Sequence, residues 1–155
     1  MGLMCVGLIS VGSKNQVEAE TIVTEIEVDG NFEYVWNFSE GLACVEVDGK
    51  WGYIDKSGKQ VIKCQYDWAE HFSEGLAVVE ADGKWGYIDK SGKQVIKCQY
   101  DLANYFSEGL AVVRVDGDGK LGYIDKSGKQ VIKCQYDWAD YFSEGLASVE
   151  VDGKW

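Results

Sequence analysis

The stretch WGYIDKSGKQVIKCQYD, Trp51–Asp67, decides the fold because the chain repeats it. It recurs unchanged at Trp85–Asp101 and returns at Leu121–Asp137 with only its first residue altered. A second recurrent string, Phe-Ser-Glu-Gly, is marked by Phe38, Phe72, Phe106 and Phe142, at intervals of 34, 34 and 36 residues. Self-similarity at such a period indicates an array whose units bury their apolar faces only by stacking on one another. The two extra residues of the third unit fall at Asp116-Gly117-Asp118-Gly119, where its neighbours have a single Asp-Gly. The array is therefore divided as 38–71, 72–105, 106–141 and a partial 142–155. Residues 1–37 match the pattern poorly and are expected to form an N-terminal β segment, a degenerate unit or a cap.

Each unit reads as three short strands. Asp48-Gly49 between Leu42–Val47 and Lys50–Asp55 is a two-residue hairpin signal, since Asp-Gly readily supplies the positive φ angles of a type I′ turn. Asp55-Lys56-Ser57-Gly58 fits a type I turn closed by a glycine bulge. In the strand that follows, Ile62, Cys64 and Tyr66 alternate with Lys63 and Gln65, the period of a half-buried strand. Tyr66–Gly75 is then a longer connection, expected to hold a helical turn through Trp68–Phe72. No segment sustains a 3.6-residue period, so the class is all-β: antiparallel three-stranded units stacked into a curved solenoid, with a propeller as the alternative.

Composition narrows the function. The 155 residues carry 15 Lys+Arg against 26 Asp+Glu, a net charge of -11, which disfavours nucleic acid as a partner. Apolar residues at 46% and aromatics at 13% exclude intrinsic disorder, and no apolar run is long enough for a membrane span. Met1–Val11 lacks the basic start of a secretory signal, and Val6 stands where a myristoylation site needs Ser or Thr. Of five cysteines, Cys64, Cys98 and Cys134 share one repeat position, which suits buried hydrophobes better than disulfide partners and favours a reducing, cytoplasmic setting.

The strings GKWGYIDKSGKQVI and YDWAEHFSEGLAVVE resemble the WG repeat family, also called KWG repeats, found mostly in bacterial proteins. Its members are tandem β-rich arrays, mostly without an established activity, so the resemblance implies a scaffold or binding module. The signature pairs here are Trp51-Gly52, Trp85-Gly86 and Leu121-Gly122, with Trp155 beginning another. Leu121 departs from the family's tryptophan. Burying an indole of about 200 Å² at roughly 25 cal/mol per Å² contributes up to about 5 kcal/mol, so these side chains are the expected packing anchors.

The polar motifs carry no recognisable chemistry. Asp55, Asp89 and Asp125 recur at one turn, and Glu40, Glu74, Glu108 and Glu144 at another, whereas acid–base pairs need two unlike environments. His71 is the only histidine; Ser73 and Asp67 lie near it in sequence, but nothing there shows the convergence a triad needs, and a solvated loop is the expected setting. The cysteines lack zinc spacing, the Gly52–Gly58 segment has five residues where a phosphate loop needs four, and Asp116–Lys120 lacks the glycine and twelfth-place glutamate of a calcium loop. No enzymatic activity, metal or cofactor is expected. The candidate interaction surface is a row of aromatics on the long connections: Trp68, His71, Tyr105, Trp138 and Tyr141. Such a row suits a protein partner, with carbohydrate as the alternative and self-association through the array ends as a hazard.

Overall fold

The computed structural model describes residues 32–115, 117 and 119–155. Most of the expected N-terminal cap, and Asp116 and Asp118 of the long hairpin, lie outside the described residues. Three four-stranded antiparallel sheets follow one another, each with its strands side by side in chain order. The first holds β1 (Tyr34–Val35), β2 (Leu42–Val47), β3 (Lys50–Asp55) and β4 (Gln60–Tyr66). The second holds β5 (Trp68–Ala69), β6 (Leu76–Ala81), β7 (Lys84–Asp89) and β8 (Gln94–Tyr100). The third holds β9 (Leu102–Ala103), β10 (Leu110–Arg114), β11 (Leu121–Asp125) and β12 (Gln130–Tyr136), and β13 (Trp138–Ala139) pairs with β14 (Val149–Glu150) beyond it.

The fold is all-β, with one strand more per unit than the sequence suggests. Trp68–Ala69 is not part of a helical turn; it pairs with Glu80 and Val79 as an edge strand. The chain then returns through a tight turn in which Ser73 and Leu76 exchange backbone hydrogen bonds, with Glu74 and Gly75 at φ 52° and 87°. The Asp48-Gly49 hairpin has φ of 51° and 72°, the type I′ signature. At the next turn Asp55 Oδ1 accepts from the Ser57 and Lys59 amides and the Ser57 hydroxyl. Gly58 there takes a φ of 82°.

The signature glycine has a steric cause. Trp51 lies opposite Tyr66 and Tyr53 opposite Ile62, so Gly52 alone faces a bulge of three residues. A Cβ on Gly52 would sit 2.5 Å from the Ile62 carbonyl oxygen and 2.7 Å from the Cys64 amide nitrogen. The same collision recurs at Gly86 and Gly122. The bulge and the lysines of β4, β8 and β12 also blunt exposed sheet edges.

Each sheet presents a large-residue face to a small-residue face of the next. Leu42, Cys44, Trp51, Tyr53, Ile62 and Tyr66 pack on Ala69, Phe72, Ala77, Val79 and Ile88. The second interface sets Leu76, Val78, Tyr87, Ile96 and Tyr100 against Ala103, Phe106, Ala111, Val113 and Ile124. At the third, Val112, Leu121 and Tyr123 meet Ala139, with Phe142, Ala147 and Val149 partly buried. Burial on both faces explains why Leu-Ala-Val-Val is a continuous apolar run and does not alternate. Among the described residues no helix is long and apolar enough to cross a membrane.

Candidate interaction surface

Several of the recurrent polar residues join one layer to another. The Ser39, Ser73 and Ser107 hydroxyls donate to the carbonyls of Phe72, Phe106 and Phe142, one unit ahead, at 2.7, 2.7 and 2.8 Å. The carboxylates of Glu40, Glu74 and Glu108 accept from the amides of Gly75, Gly109 and Gly145, at 3.1, 3.0 and 2.7 Å. Lys90 pairs with Glu40 at 3.0 Å and Lys126 with Glu74 at 3.1 Å. The Lys90 ammonium, with help from the Gly75 amide, holds the Glu40 carboxyl below its ordinary range. Lys50 pairs with Asp67 and Lys84 with Asp101, each at 2.5 Å, and Lys120 pairs with Asp137.

These contacts explain why a glutamate occupies a left-handed turn position, which Asn, Asp or Gly adopts more cheaply. Only a side chain of that length reaches the glycine amide of the neighbouring layer. Sequence reasoning placed Glu40, Glu74, Glu108 and Glu144 in turns and missed this reach. Four glutamates at one left-handed position were the available signal.

The expected aromatic row divides into three settings. His71, Tyr105 and Tyr141 stand one per layer and form a column, with ring centroids 5.4 and 5.8 Å apart and planes tilted by 41° and 39°. Trp68 leaves that row. It packs 5.2 Å from Trp51 and 5.7 Å from Trp36, and its indole donates to Glu70 Oε1 at 3.1 Å. Trp138 is 55% exposed and joins neither group.

The signature side chains differ by layer as well. Trp51 is buried at 5% exposure and Leu121 at 7%, Trp85 is half-buried, and Trp155 is 75% exposed. Beside Trp85 opens a cleft of about 360 Å³, walled by Val78, Leu102 and Ala103 and rimmed by Glu70, Asn104 and Tyr105. Tyr141 also lines it.

Burial pushes the Cys44 thiol up to about 12, so it is an inert core group at neutral pH. Cys44, Cys64, Cys98 and Cys134 are unpaired. Among the described residues no cluster of three His, Cys, Asp or Glu side chains could hold a metal ion.

No match was found among curated proteins or among solved structures. The family model described as "WG containing repeat" matches residues 25–51, 51–85, 85–117 and 122–155. With four copies of that unit across its length, the chain belongs to the WG containing repeat family.

Proposed function

We propose that the protein is a non-catalytic repeat scaffold that binds protein partners along one side of the sheet stack. The supporting observation is the column of His71, Tyr105 and Tyr141, which sets one partly or well exposed ring per layer in line across successive units. The recurrent Ser, Glu and Lys groups that join layers are occupied there, whereas this column changes residue from unit to unit and is partly or well exposed. Rigid aromatic side chains contribute large contact area at low entropic cost, the property expected of binding hot spots. The acidic charge would favour a basic partner surface.

A photo-crosslinking amino acid at Tyr105 or Tyr141 tests this reading. A defined protein adduct should form there, be lost when the other ring is changed to Ala, and be absent when the crosslinker sits at Lys97 on the far edge strand. Equal capture from both sides would sink the proposal. A carbohydrate reading rests on the high exposure of Trp138 (55%) and Tyr141 (48%), which could stack on sugar rings. A glycan array read by tryptophan emission separates the two, because stacking on Trp138 shifts indole fluorescence.

A further inference from the structure

The first and second sheet interfaces have the same backbone register, yet one is filled with indoles and the other is open. Strand β1 pairs Tyr34 with Glu46 as β5 pairs Trp68 with Glu80, and β9 pairs Leu102 with Arg114. Trp36, Glu70 and Asn104 are therefore equivalent positions, two residues past Tyr34, Trp68 and Leu102. In the first interface Trp36 lies edge-on to Trp51, at 5.4 Å and 74°, and to Trp68, at 5.7 Å and 79°. In the second interface Glu70 takes the place of Trp36 and Leu102 the place of Trp68, around an equivalent Trp85. Both replacements are smaller or more polar, and the cleft of about 360 Å³ stands there.

We infer that the cleft between Trp85 and Leu102 is a receptor for a tryptophan side chain presented by a basic segment of a partner protein. Trp36 is the internal precedent: an indole already occupies the equivalent place in the same chain and buries Trp51 to 5% exposure. A visiting indole would cover Trp85 in the same edge-on geometry, with Leu102, Ala103 and Val78 supplying the apolar wall. Glu70 lines the cleft at the position equivalent to Trp36, its carboxylate accepting from the Trp68 indole, and the net charge of -11 favours Lys or Arg beside the visiting ring. Indoles suit such a site because they combine a large apolar area with one N–H donor, for which Glu70 and Asn104 offer acceptors. The inference rests on the protein-binding reading above and names its docking point.

The test uses the full chain, isotopically labelled, followed by NMR at the Trp85 indole N–H and the Ala103 amide. The probes are capped peptides Lys-Lys-Trp-Lys-Lys and Lys-Lys-Ala-Lys-Lys, with cellohexaose and chitohexaose as sugars. The Trp peptide should give saturable shifts at both signals, and the Ala peptide should bind about tenfold more weakly or less. Glu70→Trp sets an indole of the chain's own where Trp36 stands in the first interface, against Trp85. It should abolish the saturable shift while the thermal melt stays unchanged or rises. Glu70→Phe, a milder filler of the same place, should retain binding at an intermediate level and decides the matter if the Trp variant folds poorly. Equal shifts from both peptides, saturable shifts from a sugar alone, or undiminished binding by the filled variants would each overturn the inference. Crosslinking of a partner at Tyr105 that survives Glu70→Trp would remove the cleft from the account and leave the scaffold reading standing.

Discussion

The Tyr53 hydroxyl donates to the Glu70 carbonyl at 2.8 Å, from the large-residue face of one sheet to the return loop of the next. Tyr87 repeats the bond with Asn104 and Tyr123 with Asp140, each at 2.8 Å. All three rings are buried and packed on a phenylalanine, at centroid distances of 4.9, 4.8 and 5.0 Å. One side chain thus combines interior packing with a polar stitch between layers. Tyr53→Phe should remove only the stitch and leave a part-buried carbonyl without that donor, at a cost of about 1–2 kcal/mol in urea unfolding. Tyr53→Ala should cost clearly more, because a cavity is added to the lost bond.

The collision at the signature glycines gives a second prediction. Gly86→Ala would place its Cβ 2.6 Å from the Cys98 amide nitrogen and 2.7 Å from the Ile96 carbonyl oxygen, so β8 must move. Gly83→Ala meets nothing within 4 Å and is disfavoured only by its φ of 72°. The first should destabilise by about 2–4 kcal/mol, the second by about 1 kcal/mol. Paired denaturation curves check the order. Equal losses would mean that the bulge is not rigid.

The hairpins and the repeat were legible in the sequence because their causes are local: Asp-Gly, Asp-Lys-Ser-Gly, and a 34-residue period. The fourth strand was not, since two residues such as Trp68-Ala69 show no periodicity and are defined by their partners Glu80 and Val79, twelve and ten residues on. The reach of Glu40 to Gly75 was hidden for the same reason, because a turn position looks locally explained. The column of His71, Tyr105 and Tyr141 could be named as a group of rings. Sequence could not separate Trp68 from it, because that depends on Trp36 being a tryptophan where later units have Glu70 and Asn104.

The glutamate ladder separates backbone strain from side-chain reach. Glu74 holds a φ of 52°, which costs roughly 1–2 kcal/mol for a residue with a Cβ, and recovers it through Gly109 and Lys126. Glu74→Ala keeps the strain and loses both contacts. Glu74→Gly loses the contacts but also the strain. The alanine variant should be the less stable by about 1 kcal/mol, read as a difference in denaturation midpoint at equal m-value. A glycine variant no more stable than the alanine one would show that the turn is not strained.

Acid should loosen the stack through its aspartates. The Lys50 ammonium and the Asp82 amide hold Asp67 below its ordinary value of 3.8, and the Ser57 hydroxyl and turn amides do the same for Asp55. Asp89, Asp101, Asp125 and Asp137 are lowered in like manner. A group whose folded pKa is depressed stabilises the fold fully above its unfolded value, and that stability is lost as pH falls through the folded value. The melting temperature should therefore drop as pH is lowered from about 5 to 2. Asp67→Asn should show a shallower drop than the parent, most clearly at low salt, where the exposed Lys50 pair is least screened.

The third layer should open before the other two. Its hairpin ends at Arg114 opposite Leu121, whereas the first continues to Val47 opposite Lys50. Leu121 offers less area than an indole, and Ile132 and Tyr136 behind it are only partly buried. Their counterparts Ile62, Ile96, Tyr66 and Tyr100 are exposed by 3, 5, 9 and 4%. Local opening is easiest where apolar burial is least, so amide exchange should be faster at Tyr123 than at Tyr53 or Tyr87. Leu121→Trp should slow it, since the added ring would lie beside Trp138 as Trp51 lies beside Trp68. Equal protection at all three tyrosines would show instead that the stack opens as one cooperative unit, and that the loss of one indole is shared among all layers.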